Sequence, residues 1–168
     1  EAPDILMEGS VFSIALLQEC INSKEYERLP AAFKDVFVKI EAELEQKVDP
    51  LRFSAQLDCA MFRYINDVLN QRKEYGFVRR YFSLSADFQN ARSVIRARLL
   101  HWEQEKLGPL LLPGGEIAHD VFLDVFDTPL EQLGVELNRG AYGRLIFKSI
   151  EDYVATGNAS VFKRSMEA

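Results

Sequence analysis

The chain has 168 residues and is 48% apolar, with 12 Phe, 6 Tyr and one Trp. That suits a compact domain with a real core and excludes whole-chain disorder. A count of only 9 Gly and 6 Pro argues against a turn-dense all-β fold, and a net charge of −6 against a general nucleic-acid binder, whose phosphate contacts need clustered Lys and Arg.

No apolar run approaches the ~20 residues of a membrane-spanning helix. The acidic start EAPDILMEGS lacks the basic beginning of a signal peptide, and residue 1 is not Met. Cys20 and Cys59 have neither disulfide-framework nor metal-ligand spacing, so both are expected as buried or half-buried free thiols in a reducing compartment.

Helical periodicity dominates the chain. Val11, Ile14, Leu17 and Ile21 step along one face behind Ser10, a suitable N-cap. Residues 22–28 are polar and read as a loop. Pro30 suits the first turn of a second helix, whose apolar face is Phe33, Val36, Phe37, Ile40 and Leu44. Val36-Phe37-Val38 looks strand-like in isolation, but it lies inside an intact helical pattern. Asp49-Pro50 restarts a helix with Phe53, Leu57, Met61, Tyr64 and Val68 as its apolar face, and Gly76 is expected to close it from the left-handed region.

The strongest helix follows. Phe77, Tyr81, Leu84, Phe88, Ala91, Ile95, Leu99 and Trp102 recur at steps of three and four residues and form one stripe, predicting a rod of about 40 Å over 77–102. Gly108-Pro109 ends it and opens an apolar loop, Leu110 to Gly115. Shorter helices are expected over 118–126, from Pro129 through Leu137, and from Tyr142 to a stop at Gly157, with another start at Ser160. The expected fold class is all-α: a lobe of antiparallel packed helices with one long central helix, spanning 1–157, with 158–168 beginning a following helix or lobe.

Little in the chain suggests chemistry. His101 and His119 lie on different segments, without metal-ligand spacing. The loop GPLLLPGG has no following Lys-Ser/Thr and no preceding strand, so it is not a phosphate loop of the usual kind. An enzyme would need a cleft built on that loop with His119 and Asp120. Charge is more telling. Residues 72–98 hold seven basic and two acidic side chains, a net +5 against −11 for the rest. Arg79, Arg80, Arg92 and Arg96 are thus candidates either for pairing with the acidic helices of the same chain or for docking an acidic partner. Asp87 and Asn90 flank the apolar stripe at i,i+3 spacing beside Val94, so they are expected to be half-buried and bonded to backbone groups at the end of a neighbouring helix.

Several of these stretches together resemble a known family. Phe77-Val78-Arg79-Arg80-Tyr81, then Asp87-Phe88-Gln89-Asn90, then Arg96-Ala97-Arg98, then the turn Leu112-Pro113-Gly114-Gly115-Glu116-Ile117 are similar, in that order, to motifs of the V/A-type (vacuolar-type) ATPase C-subunit family, which includes the eukaryotic d-subunit. Asp49-Pro50 with Leu57-Asp58 and Met61-Phe62, and Leu137 to Gly143, agree with two further motifs. The resemblance covers about 49–157. The family's N-terminal Y-x-x-A-R helix is absent, and Ala141 stands where Thr is usual.

The resemblance implies a fragment of such a protein or a divergent bacterial relative: an all-helical, non-catalytic part with no cofactor or metal. It implies that the part joins the central stalk to the membrane ring of proteolipid subunits, peripherally on the cytoplasmic face, with other ATPase subunits as partners and no nucleic acid. On it, Asp87 and Asn90 fix helix register, and Arg79, Arg80, Arg92 and Arg96 contact neighbouring subunits. The alternative is a helical adaptor in an unrelated complex.

Overall fold

The computed structural model describes residues 13–43, 50–71, 73–158 and 160–167. Every regular element among them is helical, which makes the fold all-α. The β-prone Val36-Phe37-Val38 stretch is helical, with Val36 buried. The chain divides into two compact units, residues 1–48 and 49–168.

In the first unit, α1 (Ile14–Ser23) is capped by the Ser13 hydroxyl, which accepts the Leu16 N–H at 3.2 Å. The suggested cap Ser10 and the apolar Val11 and Leu44 lie outside the described residues. Lys24 ends the helix in the left-handed region. The polar stretch expected as a plain loop coils into a 3₁₀ turn over Tyr26–Arg28, because Tyr26 is drawn inward. Its ring stacks on Phe37 of α2 (Ala31–Glu43) at 5.3 Å. Cys20, Tyr26 and Leu29 form the small core, with Leu16, Leu17, Phe33 and Phe37 packed around it. Burial, and the Glu41 carboxylate after it, push the Tyr26 hydroxyl above its usual pKa.

The second unit opens with α3 (Pro50–Asn70) and α4 (Gly76–Leu99), an antiparallel pair joined by a 3₁₀ turn at Lys73–Tyr75. Asp49, the expected cap of α3, is outside the described residues. Gly76 begins α4 rather than closing α3. The face of α3 that packs on α4 carries Cys59 and Phe62, not the Phe53–Leu57–Met61 stripe, and Met61 is 42% exposed. A sulfur side chain does part of the packing here, which the spacing of the larger apolar residues does not register.

The expected rod also needs correction. It ends at Leu99, because His101 adopts a left-handed φ of 52°. The Trp102 N–H then folds back to the Ala97 carbonyl at 2.9 Å and the His101 N–H to that of Arg98 at 3.1 Å, a Schellman closure without glycine. The predicted stripe is core only in part. Phe88, Ala91 and Ile95 are buried, whereas Phe77 is 83% exposed and Tyr81 and Leu99 are exposed too. Beside that stripe α4 buries a second row, Ala86, Asp87, Asn90, Val94 and Ala97.

The chain then passes through 3₁₀ turns at Gln104–Lys106 and Gly108–Leu110 into a loop over 111–118, followed by α5 (His119–Asp124), α6 (Leu130–Glu136), α7 (Gly143–Thr156) and α8 (Ser160–Glu167). Gly134 lets α6 lie close to Phe147 of α7. Gly157 ends α7 with φ 67°. Phe88, Phe122, Leu133, Leu137, Ile146 and Ile150 form the main core. The helix expected from Ser160, α8, inserts Val161 and Phe162 into this core, where Phe162 meets Phe88 edge-on at 6.4 Å and Tyr153 at 6.1 Å.

Candidate functional site

The sequence motifs converge on one place, the loop from Leu111 to Ile117. It has no regular structure of its own, so its backbone groups need partners from elsewhere. Asn90, fully buried on α4, supplies two: its Oδ1 accepts the Leu112 N–H at 2.7 Å, and its Nδ2 donates to the Leu112 carbonyl at 3.0 Å. A side-chain amide thus bonds both backbone groups of one residue in the manner of a neighbouring strand.

One turn earlier Asp87, 3% exposed, does the same for the far end of the loop. Its Oδ2 accepts the Glu116 N–H at 2.9 Å and its Oδ1 the Ile117 N–H at 3.2 Å. The pair is therefore more buried than expected, and it clamps a loop rather than a neighbouring helix.

Two further clamps come from α3. Asn66 donates to the Pro113 carbonyl at 3.3 Å, and the Cys59 thiol lies 3.4 Å from the Leu111 carbonyl. His119 Nε2 is 2.9 Å from the Leu112 carbonyl, a contact that requires the proton on Nε2. Glu116 links the loop to the entry of α7 by accepting the Ala141 N–H at 2.8 Å. The motif at Leu137–Gly143 therefore meets the turn motif in space. Of these partners Asp87 and Asn90 stand out in the sequence as a polar pair, Cys59 as an expected buried thiol and Glu116 as part of the turn motif. Asn66 carries no such signal.

Glycine is required where the clamps close. Gly114 has φ 90°, and a Cβ there would overlap the Asn66 amide; a Cβ on Gly115 would overlap the Asp87 carboxylate. Burial raises the Asp87 carboxyl to a pKa of about 6. The two backbone donors oppose that rise, the Glu116 charge adds to it and His119 lessens it. Burial also raises the Cys59 thiol.

The four candidate arginines are all exposed on α4, but they serve two different places. Arg79 and Arg80 line a cavity of about 300 Å³ with Asn66, Asn70, Ser83 and Gly114, and Arg79 reaches Asn70 Oδ1 at 3.5 Å. Arg92 and Arg96 line a groove of about 310 Å³ between α3 and α4. His119 is committed to the loop carbonyl, and neither it nor Asp120 lines these cavities. Among the described residues no three His, Cys, Asp or Glu side chains gather as a metal site, and no helix is long and apolar enough to cross a membrane.

The sequence pattern of the ATP synthase (C/AC39) subunit family matches residues 1–168. The match therefore extends over the N-terminal 48 residues, beyond the stretch that carries the recognisable motifs. No curated protein and no solved structure shows a significant match.

Proposed function

The chain belongs to the ATP synthase (C/AC39) subunit family, and on that premise we propose that it is a non-catalytic structural subunit of a rotary V/A-type ATPase, coupling the central stalk to the membrane proteolipid ring. Its partners are then the stalk subunits and the ring, and it sits peripherally on the cytoplasmic face. A part that passes torque between two bodies must resist shear. That calls for helices that cannot slide and loops that cannot flex, and not for reactive groups with tuned proton affinity.

The observation that carries this reading is the loop clamp. Asp87 and Asn90 of α4 and Asn66 of α3 tie the irregular segment over 111–118 to the two longest described helices of the second unit. Glu116 passes the restraint on to α7. The exposed arginines supply polar docking faces outside this braced frame.

The test is affinity purification of the tagged chain from detergent-solubilised native membranes. Stoichiometric recovery of stalk and proteolipid-ring subunits supports the proposal. Absence of the chain from the intact ATPase overturns it, and recovery in a different assembly would favour an adaptor.

A further inference from the structure

The groove lined by Arg92 and Arg96 combines apolar and cationic side chains. Leu51, Ala55, Met61 and Phe62 of α3 line it together with Leu110, Leu112 and Trp102. It runs on into a second hollow of about 440 Å³ that shares Leu51, Trp102 and Leu110 and adds Arg52 and Lys106. From Leu51 to Phe62 the α3 wall is ~16 Å long at ~1.5 Å per residue, the length of three helical turns.

Arg92 and Arg96 stand one turn apart, on the same side of α4. The ion pairs among the described residues include Lys24–Glu41, Arg28–Glu19, Lys34–Glu27 and Arg139–Glu136, and none of them uses Arg92 or Arg96. Among the described residues of the second unit, neither arginine is in an ion pair with a carboxylate. Asp58 lines the same groove, and none of those ion pairs includes it. In this groove two cations, Arg92 and Arg96, stand with one carboxylate, Asp58.

We propose that this groove docks an acidic amphipathic helix of a neighbouring subunit, a partner assignment that rests on the functional reading above. The apolar side of the incoming helix covers Met61, Leu110 and Trp102. A pair of carboxylates at i,i+4 spacing meets Arg92 and Arg96, whose guanidinium groups suit bidentate pairing. A flat anionic membrane surface would not enter a concave groove.

The test places the photo-crosslinker p-benzoylphenylalanine at Met61, in the full chain within native membranes, and identifies the captured peptide by mass spectrometry. The expected product is a helical segment of another subunit with net negative charge. Arg92→Glu with Arg96→Glu should cut its yield by about tenfold or more, and changing the two facing acids of the captured helix to Lys should restore it. If the reversal variant unfolds, Arg92→Gln with Arg96→Gln carries the same test.

Capture of residues 1–48 of the same chain, of lipid, or of a basic or neutral segment overturns the proposal. So does no capture at all, or a yield indifferent to the arginines. Capture of an acidic helix from a protein outside the ATPase would leave the groove assignment standing and overturn the functional reading. Capture of a basic ATPase segment would do the reverse.

Discussion

Gly115 lies so close to Asp87 that a Cβ on it would overlap the Asp87 Oδ1 atom. The carboxylate cannot simply swing away, because the Glu116 and Ile117 N–H groups hold both of its oxygens. Gly115→Ala should therefore destabilise the second unit by about 1–3 kcal/mol, as overpacking of a fixed site does. Chemical denaturation of the variant checks this. An unchanged midpoint would mean that the loop is free to move.

Asp87→Ala should cost about 2–4 kcal/mol, because it leaves two inward-facing N–H groups without acceptors. Asn90→Ala should cost a similar amount through Leu112. The two act on one loop, so the double variant should lose less than the sum of the singles, by more than about 0.5 kcal/mol. A double-mutant cycle measured by urea unfolding tests this, and strict additivity would show that the two ends of the loop are held independently.

The pH dependence has a definite sign. The Asp87 carboxyl titrates near 6 in the folded chain and near its ordinary 3.8 when unfolded. Between these values the folded state holds the proton and the unfolded state does not. The stabilisation linked to this group is thus fully present below pH 3.8 and is lost as pH rises through 6. The stability advantage of the wild type over Asp87→Ala should shrink by about 3 kcal/mol at most from pH 4 to pH 7. Denaturation curves for both proteins across that range measure it, and an advantage that grew with pH would contradict burial as the dominant influence on Asp87.

Phe77 and Phe88 belong to the same sequence stripe but meet opposite surroundings, the first exposed and the second buried. Phe88→Ala should cost about 3–5 kcal/mol. Phe77→Ala should change stability by less than about 0.5 kcal/mol. Melting curves of the two variants in the isolated chain decide this, and equal losses would mean that the whole stripe is core.

The helices are legible in the sequence because their apolar spacing survives local noise. The α2 segment keeps its helix through a β-prone run, and Gly157 stops α7 where its conformational freedom is used. What misleads is the assumption that an apolar stripe is uniformly buried. Periodicity gives the phase of a face but not how much of its length is covered, so Phe77, Tyr81 and Leu99 read as core when they are not. The helix end at His101 is hidden for a related reason: a non-glycine residue takes the left-handed position.

At the candidate site, Asp87 and Asn90 can be found because polar residues beside an apolar face need partners. Their target cannot, since Leu112, Glu116 and Ile117 lie more than twenty residues away. Asn66 looks like an ordinary helix residue until the loop closes over it, and Cys59 reads as a buried thiol with no sign of its carbonyl partner.

The coupling role is tested most directly by measuring ATP hydrolysis and ion translocation together in membrane vesicles whose ATPase either contains or lacks this subunit. Hydrolysis should continue without the subunit while translocation per ATP collapses, and adding the purified chain should restore the ratio. Translocation per ATP that is unchanged by its removal would contradict a coupling role.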